Sequence, residues 1–117
     1  MNQYLQRYRQ NSVTTASPKS LIVQLHDKAI MELEGAQQDW GQGNLDSMRQ
    51  RVTLVQDIVS YLHSSLDPEN GVTPTLSELY RYYLIRLSNL FIEPNEELFS
   101  EIKGHFVEWR DTWWKAV

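Results

Sequence analysis

The sequence predicts an all-α protein: an antiparallel up-down four-helix bundle, preceded by an N-terminal cap segment or short extra helix. Three observations carry that prediction. Apolar residues recur at steps of three and four through most of the 117 residues, which is the period of one helix face. Turn-forming clusters interrupt the pattern at Gly41-Gln-Gly43, Asp67-Pro-Glu-Asn-Gly71 and Glu93-Pro-Asn95. Strand-like alternation and internal repeats are absent from the sequence. Short connections between four helices favour antiparallel neighbours, and the length suits one domain over 1–117.

Residues 1–17 read as a polar leader with two isolated hydrophobic anchors, Tyr8 and Val13. Ser17 suits the capping position of the first helix and Pro18 its first turn. That helix is expected over 18–40, with Ile22, Leu25, Ala29, Leu33, Ala36 and Trp40 on one face. The second is expected over 44–66 with Asn44 as its cap. Its seam is the most regular: Leu45, Met48, Val52, Val55, Val59, Leu62 and Leu66. A second stripe lies beside it, Leu54, Ile58 and Tyr61, either for another neighbour or for a partner.

The third helix is expected over 74–91, capped by Thr73 or by a Thr75/Glu78 capping box. Its apolar face runs from Leu76 through Leu79, Tyr80, Tyr83, Leu84, Leu87 and Leu90 to Phe91, with Tyr82 and Ile85 to one side. The fourth, over 95–115, opens on Glu96 and Glu97, which suit the positive end of a helix dipole. Leu98, Ile102, Phe106, Trp109 and Trp113 form its stripe.

Composition removes several functions. There is no cysteine, hence no disulfide, thiolate metal site or cysteine nucleophile. A net charge of −4 with scattered basic residues argues against nucleic-acid binding. No stretch approaches the ~20 apolar residues of a membrane span, and the first residues lack a signal-like apolar run. The expectation is a cytoplasmic protein. No Glu-x-x-His pair of the di-iron kind occurs, and Glu101 with His105 is an isolated four-residue step. His26, His63 and His105 fall on three different helices. With no phosphate loop or nucleophile context, no catalytic, metal or cofactor residue is assigned. An Arg81/Arg86 anion pocket or a site at His26 is the rival enzyme or metal-binding reading, and a generic helical adaptor is another.

The aromatic residues point elsewhere. Tyr80, Tyr82 and Tyr83 turn through most of a helical circumference, so they do not all face one core. Surface rings of this kind are enriched at protein interfaces.

Five segments together resemble the flagellar export chaperones of the FliS family. The leader Tyr8-Arg-Gln-Asn-Ser-Val-Thr-Thr-Ala-Ser-Pro18 is similar to that family's Tyr-x-Gln-Asn-Ser-Val-x-Thr-Ala-Ser/Thr-Pro run. Leu21-Ile-Val-Gln-Leu-His-Asp-Lys-Ala-Ile30 resembles Leu-Leu-x-x-Leu-Tyr-Asp-Gly-Ala-Ile, with His26 for the tyrosine and Lys28 for the glycine. Gln56–Asp67, Leu79-Tyr-Arg-Tyr82 with Arg86-Leu87, and Arg110-Asp-Thr-Trp113 follow in the family's order. Leu90-Phe91 departs from an Ala-Asn pair, and the turn after Asp67 is shorter.

The resemblance implies a non-enzymatic chaperone without cofactor. Its implied client is the disordered C-terminal segment of flagellin, kept from polymerising and passed to the flagellar type III export apparatus. The export gate and other flagellar regulators are partners by family analogy alone. Leu54, Ile58, Tyr61, Tyr82 and Ile85 are the expected client contacts, from their position beside the main seams. Tyr8 and Val13 are expected to cover an apolar groove of the free bundle until the client displaces them.

Overall fold

The computed structural model describes the backbone of residues 18–66, 69, 71 and 73–116, and the side chains of 20–66, 69, 71 and 73–111. All regular structure among them is helical: α1 (Pro18–Gly41), α2 (Leu45–Ser64), α3 (Thr73–Ile92) and α4 (Glu96–Ala116). The expected bounds therefore stand to within two residues. Ser17, the expected cap of α1, lies outside the described residues.

The turn between α1 and α2 is closed by backbone geometry. Gly43 takes φ +78°, a left-handed conformation that glycine adopts without steric cost. Its N–H donates to the Trp40 carbonyl (3.1 Å) and that of Asn44 donates to the Asp39 carbonyl (2.8 Å). This pair of bonds is a Schellman closure. It also corrects the role expected of Asn44, whose side chain makes no cap hydrogen bond and whose backbone sits at φ −86°, ψ 71°. Tied back to α1, Asn44 lacks the β-region geometry that aims a capping side chain. The capping asparagine is Asn95, whose Oδ1 accepts the Leu98 N–H at 2.9 Å.

Polar pairs set the antiparallel register. Asp39 and Glu32 of α1 meet Ser47 and Arg51 of α2. Asp27 of α1 meets Arg110 of α4. His63 and Gln56 of α2 meet Ser77 and Ser88 of α3, and Arg86 of α3 meets Glu101 of α4. With Trp40 against Phe99 and Tyr80 against Trp109 as second points for α1–α4 and α3–α4, one residue number falls as the other rises in each pair of helices. The helices thus run up-down-up-down, with α1 packed between α2 and α4 and α3 closing the far side.

The core contains the expected seams: Leu25, Ala29, Leu33 and Ala36; Met48, Val52, Val55, Val59 and Leu62; Tyr80, Tyr83, Leu87 and Leu90; Leu98, Ile102 and Phe106. Phe99 and His26 are buried as well, beyond expectation. Leu45 departs from its seam and stands 40% exposed. It is the first residue of α2, at the very end of the seam.

Candidate partner-binding surface

A cluster of rings ties the four helices together near the Pro18 end of α1. His26 of α1 sits 5.7 Å from Trp109 and 6.0 Å from Phe106 of α4, centroid to centroid. Tyr80 and Tyr83 of α3 lie 4.7 and 5.0 Å from Trp109. His63 of α2 lies edge-on to Tyr80 at 6.3 Å, and His105 edge-on to Tyr83 at 5.4 Å. Tilted and edge-on contacts are the favoured arrangements for such rings. All three histidines of the chain therefore border one aromatic cluster.

The chemistry of this cluster is conservative. His26 Nδ1 lies 2.7 Å from the Ile22 carbonyl; a carbonyl only accepts, so the proton is on Nδ1. Nε2 is buried without a partner among the described residues. Burial lowers the His26 pKa below its usual 6.5, partly offset by the bond to Ile22 and by Asp27, and reinforced by Arg110. Tyr83 is pushed up to about 12, first by burial and then by Tyr82, Glu108 and Glu101. Both groups are neutral near pH 7.

Arg81 and Arg86 do not converge on an anion. Arg81 is exposed, whereas Arg86 Nε donates to Glu101 Oε2 at 3.2 Å. Hydrogen bonding from Arg86 lowers the Glu101 pKa, so the two charges neutralise each other. Among the described residues, no three His, Cys, Asp or Glu side chains are grouped to hold a metal ion. Nor is any helix there long and apolar enough to cross a membrane.

What remains is apolar surface on α3. Tyr82, Ile85 and Ile92 are 43%, 61% and 70% exposed. Their spacing places them on one side of the helix, away from the buried Tyr83, Leu87 and Leu90. A helix with large apolar side chains outside its buried face has surface to spare. Ile92 extends the expected Tyr82/Ile85 stripe by two turns; continuing the same spacing past Ile85 would have found it. Beside this ridge a cleft of about 750 Å³ separates the end of α3 from the start of α4, lined by Arg86, Ile92, Glu93, Glu97 and Glu101 among others.

The five expected contacts fall into three settings. Tyr82 and Ile85 are exposed. Leu54 and Tyr61 are half-buried and pack against the core. Ile58 is completely buried, and in this state presents no surface. Tyr8 and Val13 lie outside the described residues, as does the side chain of Trp113.

A protein-family model described as Flagellar protein FliS matches residues 1–117. The chain belongs to the FliS family. It is 24% identical over 110 residues to the flagellar secretion chaperone FliS of Bacillus subtilis, covering 94% of this chain and 83% of that protein. It is 28% identical over 113 residues to the flagellar secretion chaperone FliS of Salmonella typhimurium, covering 94% and 84%.

Within this FliS-family chain the departures from the family pattern have distinct settings. His26 fills a buried place among rings. Lys28 pairs with Glu32 at 2.9 Å, and Leu90 is wholly in the core. Phe91 instead lies at the surface edge of α3, with the Arg49 guanidinium over its ring.

Proposed function

We propose that this FliS-family protein, a flagellar secretion chaperone, works in the bacterial cytosol by holding the C-terminal segment of flagellin and handing it to the flagellar type III export apparatus. The observation that carries this reading is the exposed Tyr82–Ile85–Ile92 stripe on a bundle whose core is already complete. A disordered amphipathic segment gains helical order by laying its apolar face on such a stripe. The ordering entropy it loses moderates affinity, which favours release without a nucleotide. The proposed work is binding rather than catalysis, and it needs no cofactor.

Tyr82 and Ile85 are the primary contacts in this proposal, with Leu54 and Tyr61 at its margin. Ile58 acts from beneath, as floor rather than as surface. Tyr8 and Val13 of the leader compete for the same apolar surface, so deleting residues 1–16 should tighten client binding while the bundle stays folded.

Titration of a flagellin C-terminal peptide onto Ile85→Asp tests the reading. Ile85 is more than half exposed, so the variant should fold, whereas a charge at Ile58 would disrupt the core. Loss of at least about tenfold in affinity is expected from removing an interface anchor. Wild-type affinity in a fully helical Ile85→Asp protein would remove the α3 face from the mechanism.

A further inference from the structure

We propose that Arg49 and Phe91 form a specificity site, selecting client helices that carry a carboxylate beside an aliphatic side chain. The inference rests on the client-binding reading above and names which chemistry of the client is read.

A shallow cleft of about 400 Å³ lies where α2 faces the end of α3, lined by Arg49, Gln50, Thr53, Leu54, Asp57 and Phe91. Leu54 and Phe91 are half-buried against the core and form its apolar floor. The Arg49 guanidinium carbon stands 5.6 Å from the Phe91 ring centroid. A ring face attracts a cation but offers no acceptor for a specific N–H. Arg49 Nε is buried and lacks a hydrogen-bond partner among the described residues.

The other interhelical arginines are satisfied. Arg51 pairs with Glu32 and Asp39, Arg86 with Glu101, and Arg110 with Asp27. Arg49 pairs with no carboxylate among the described residues. A planar, weakly hydrated guanidinium held against an aromatic floor is suited to receive a carboxylate in two parallel bonds. Nε is sealed from solvent, so an incoming carboxylate would be received end-on by the two Nη groups.

An acidic group is therefore favoured at the Arg49 end of the cleft, with room for an aliphatic side chain over Leu54 and Phe91 beside it. Charge complementarity thus points to a client segment with a Glu or Asp within a turn of an aliphatic anchor. Phe91 replaces the asparagine of the family pattern, so this floor is a feature of the present chain.

Calorimetric titration of a flagellin C-terminal peptide onto the full chain and onto Arg49→Gln tests the site, together with peptides in which each Asp or Glu is singly replaced by its amide. Loss of a charge-assisted bond should weaken Arg49→Gln binding about tenfold. One amide peptide should weaken binding to the native chain equally, and should lose nothing further on Arg49→Gln. That second measurement is made on the native chain and does not depend on how the variant folds. If Arg49→Gln binds the parent peptide as tightly as the native chain does, the specificity site is wrong while the chaperone reading stands. Purely additive losses across the whole amide series would also overturn it. Failure of the native chain to bind the parent peptide would overturn both.

Discussion

The α1–α2 and α3–α4 seams of this bundle are built in opposite ways. Between α1 and α2 the backbones approach closely, because α1 presents Ala29 and Ala36 to the core and Gly35 beneath Arg51. A Cβ on Gly35 would come within 2.6 Å of the Arg51 guanidinium, so glycine leaves room for that side chain to reach Glu32 and Asp39. Between α3 and α4 the backbones stand farther apart, and Tyr83, Phe106 and Trp109 fill the space. A seam made by small residues and a charge clamp closes its own surface. One made by large rings leaves helix circumference uncovered, and it is α3 that carries the exposed Tyr82, Ile85 and Ile92.

If rings rather than charges hold the open side together, Phe106→Ala should be the most damaging of three changes. Phe106 is fully buried, and truncating such a side chain costs about 3–5 kcal/mol. Urea unfolding followed by circular dichroism measures it, and a loss under 1 kcal/mol would mean the ring cluster is not the α3–α4 fastener.

The next largest effect concerns pH. Burial holds the folded-state pKa of His26 below 6.5, so the unfolded chain binds the proton more readily. Stability contributed by neutral His26 is therefore complete above pH 6.5 and declines as pH falls toward the folded-state value. The slope is bounded by about 1.4 kcal/mol per pH unit, the limit for one proton. His26→Tyr should flatten the stability profile in that window; an unaltered slope would show that His26 is not its source.

Smallest should be Arg51→Ala, since partly exposed ion pairs are generally worth ~0–1 kcal/mol. Arg51 does bridge two carboxylates, of which Glu32 is nearly buried, so its loss should be measurable in a thermal melt. A loss equal to that of Phe106→Ala would reverse the comparison between the two seams.

Much of this architecture is legible along the chain because helix period and turn chemistry are local. The step pattern of Met48, Val52, Val55, Val59 and Leu62 marks a buried face wherever α2 ends up. Gly43 marks a left-handed turn for the same kind of reason. The misreadings are non-local. Asn44 looks like a cap and is taken up by the closure of α1, while Asn95, read as a breaker, does the capping. Leu45 keeps the period of its seam but stands exposed at the start of α2. Arg49 carries no sequence signal at all, since its significance is the ring that another helix places under it.

By itself, then, the sequence determined a four-helix bundle and the FliS resemblance, including which residues had the chemistry to face a core. Only the tertiary structure decided which of those faces were used. Leu54, Ile58 and Tyr61 share a stripe on α2, yet Ile58 is sealed and its two companions are half-buried. Tyr82 and Ile85, on a comparable stripe of α3, remain open. Periodicity gives each side chain a direction from its own helix axis, but burial depends on what stands in that direction. The answer belongs to neighbours distant in sequence: how many there are, how close they come, and how large their side chains are.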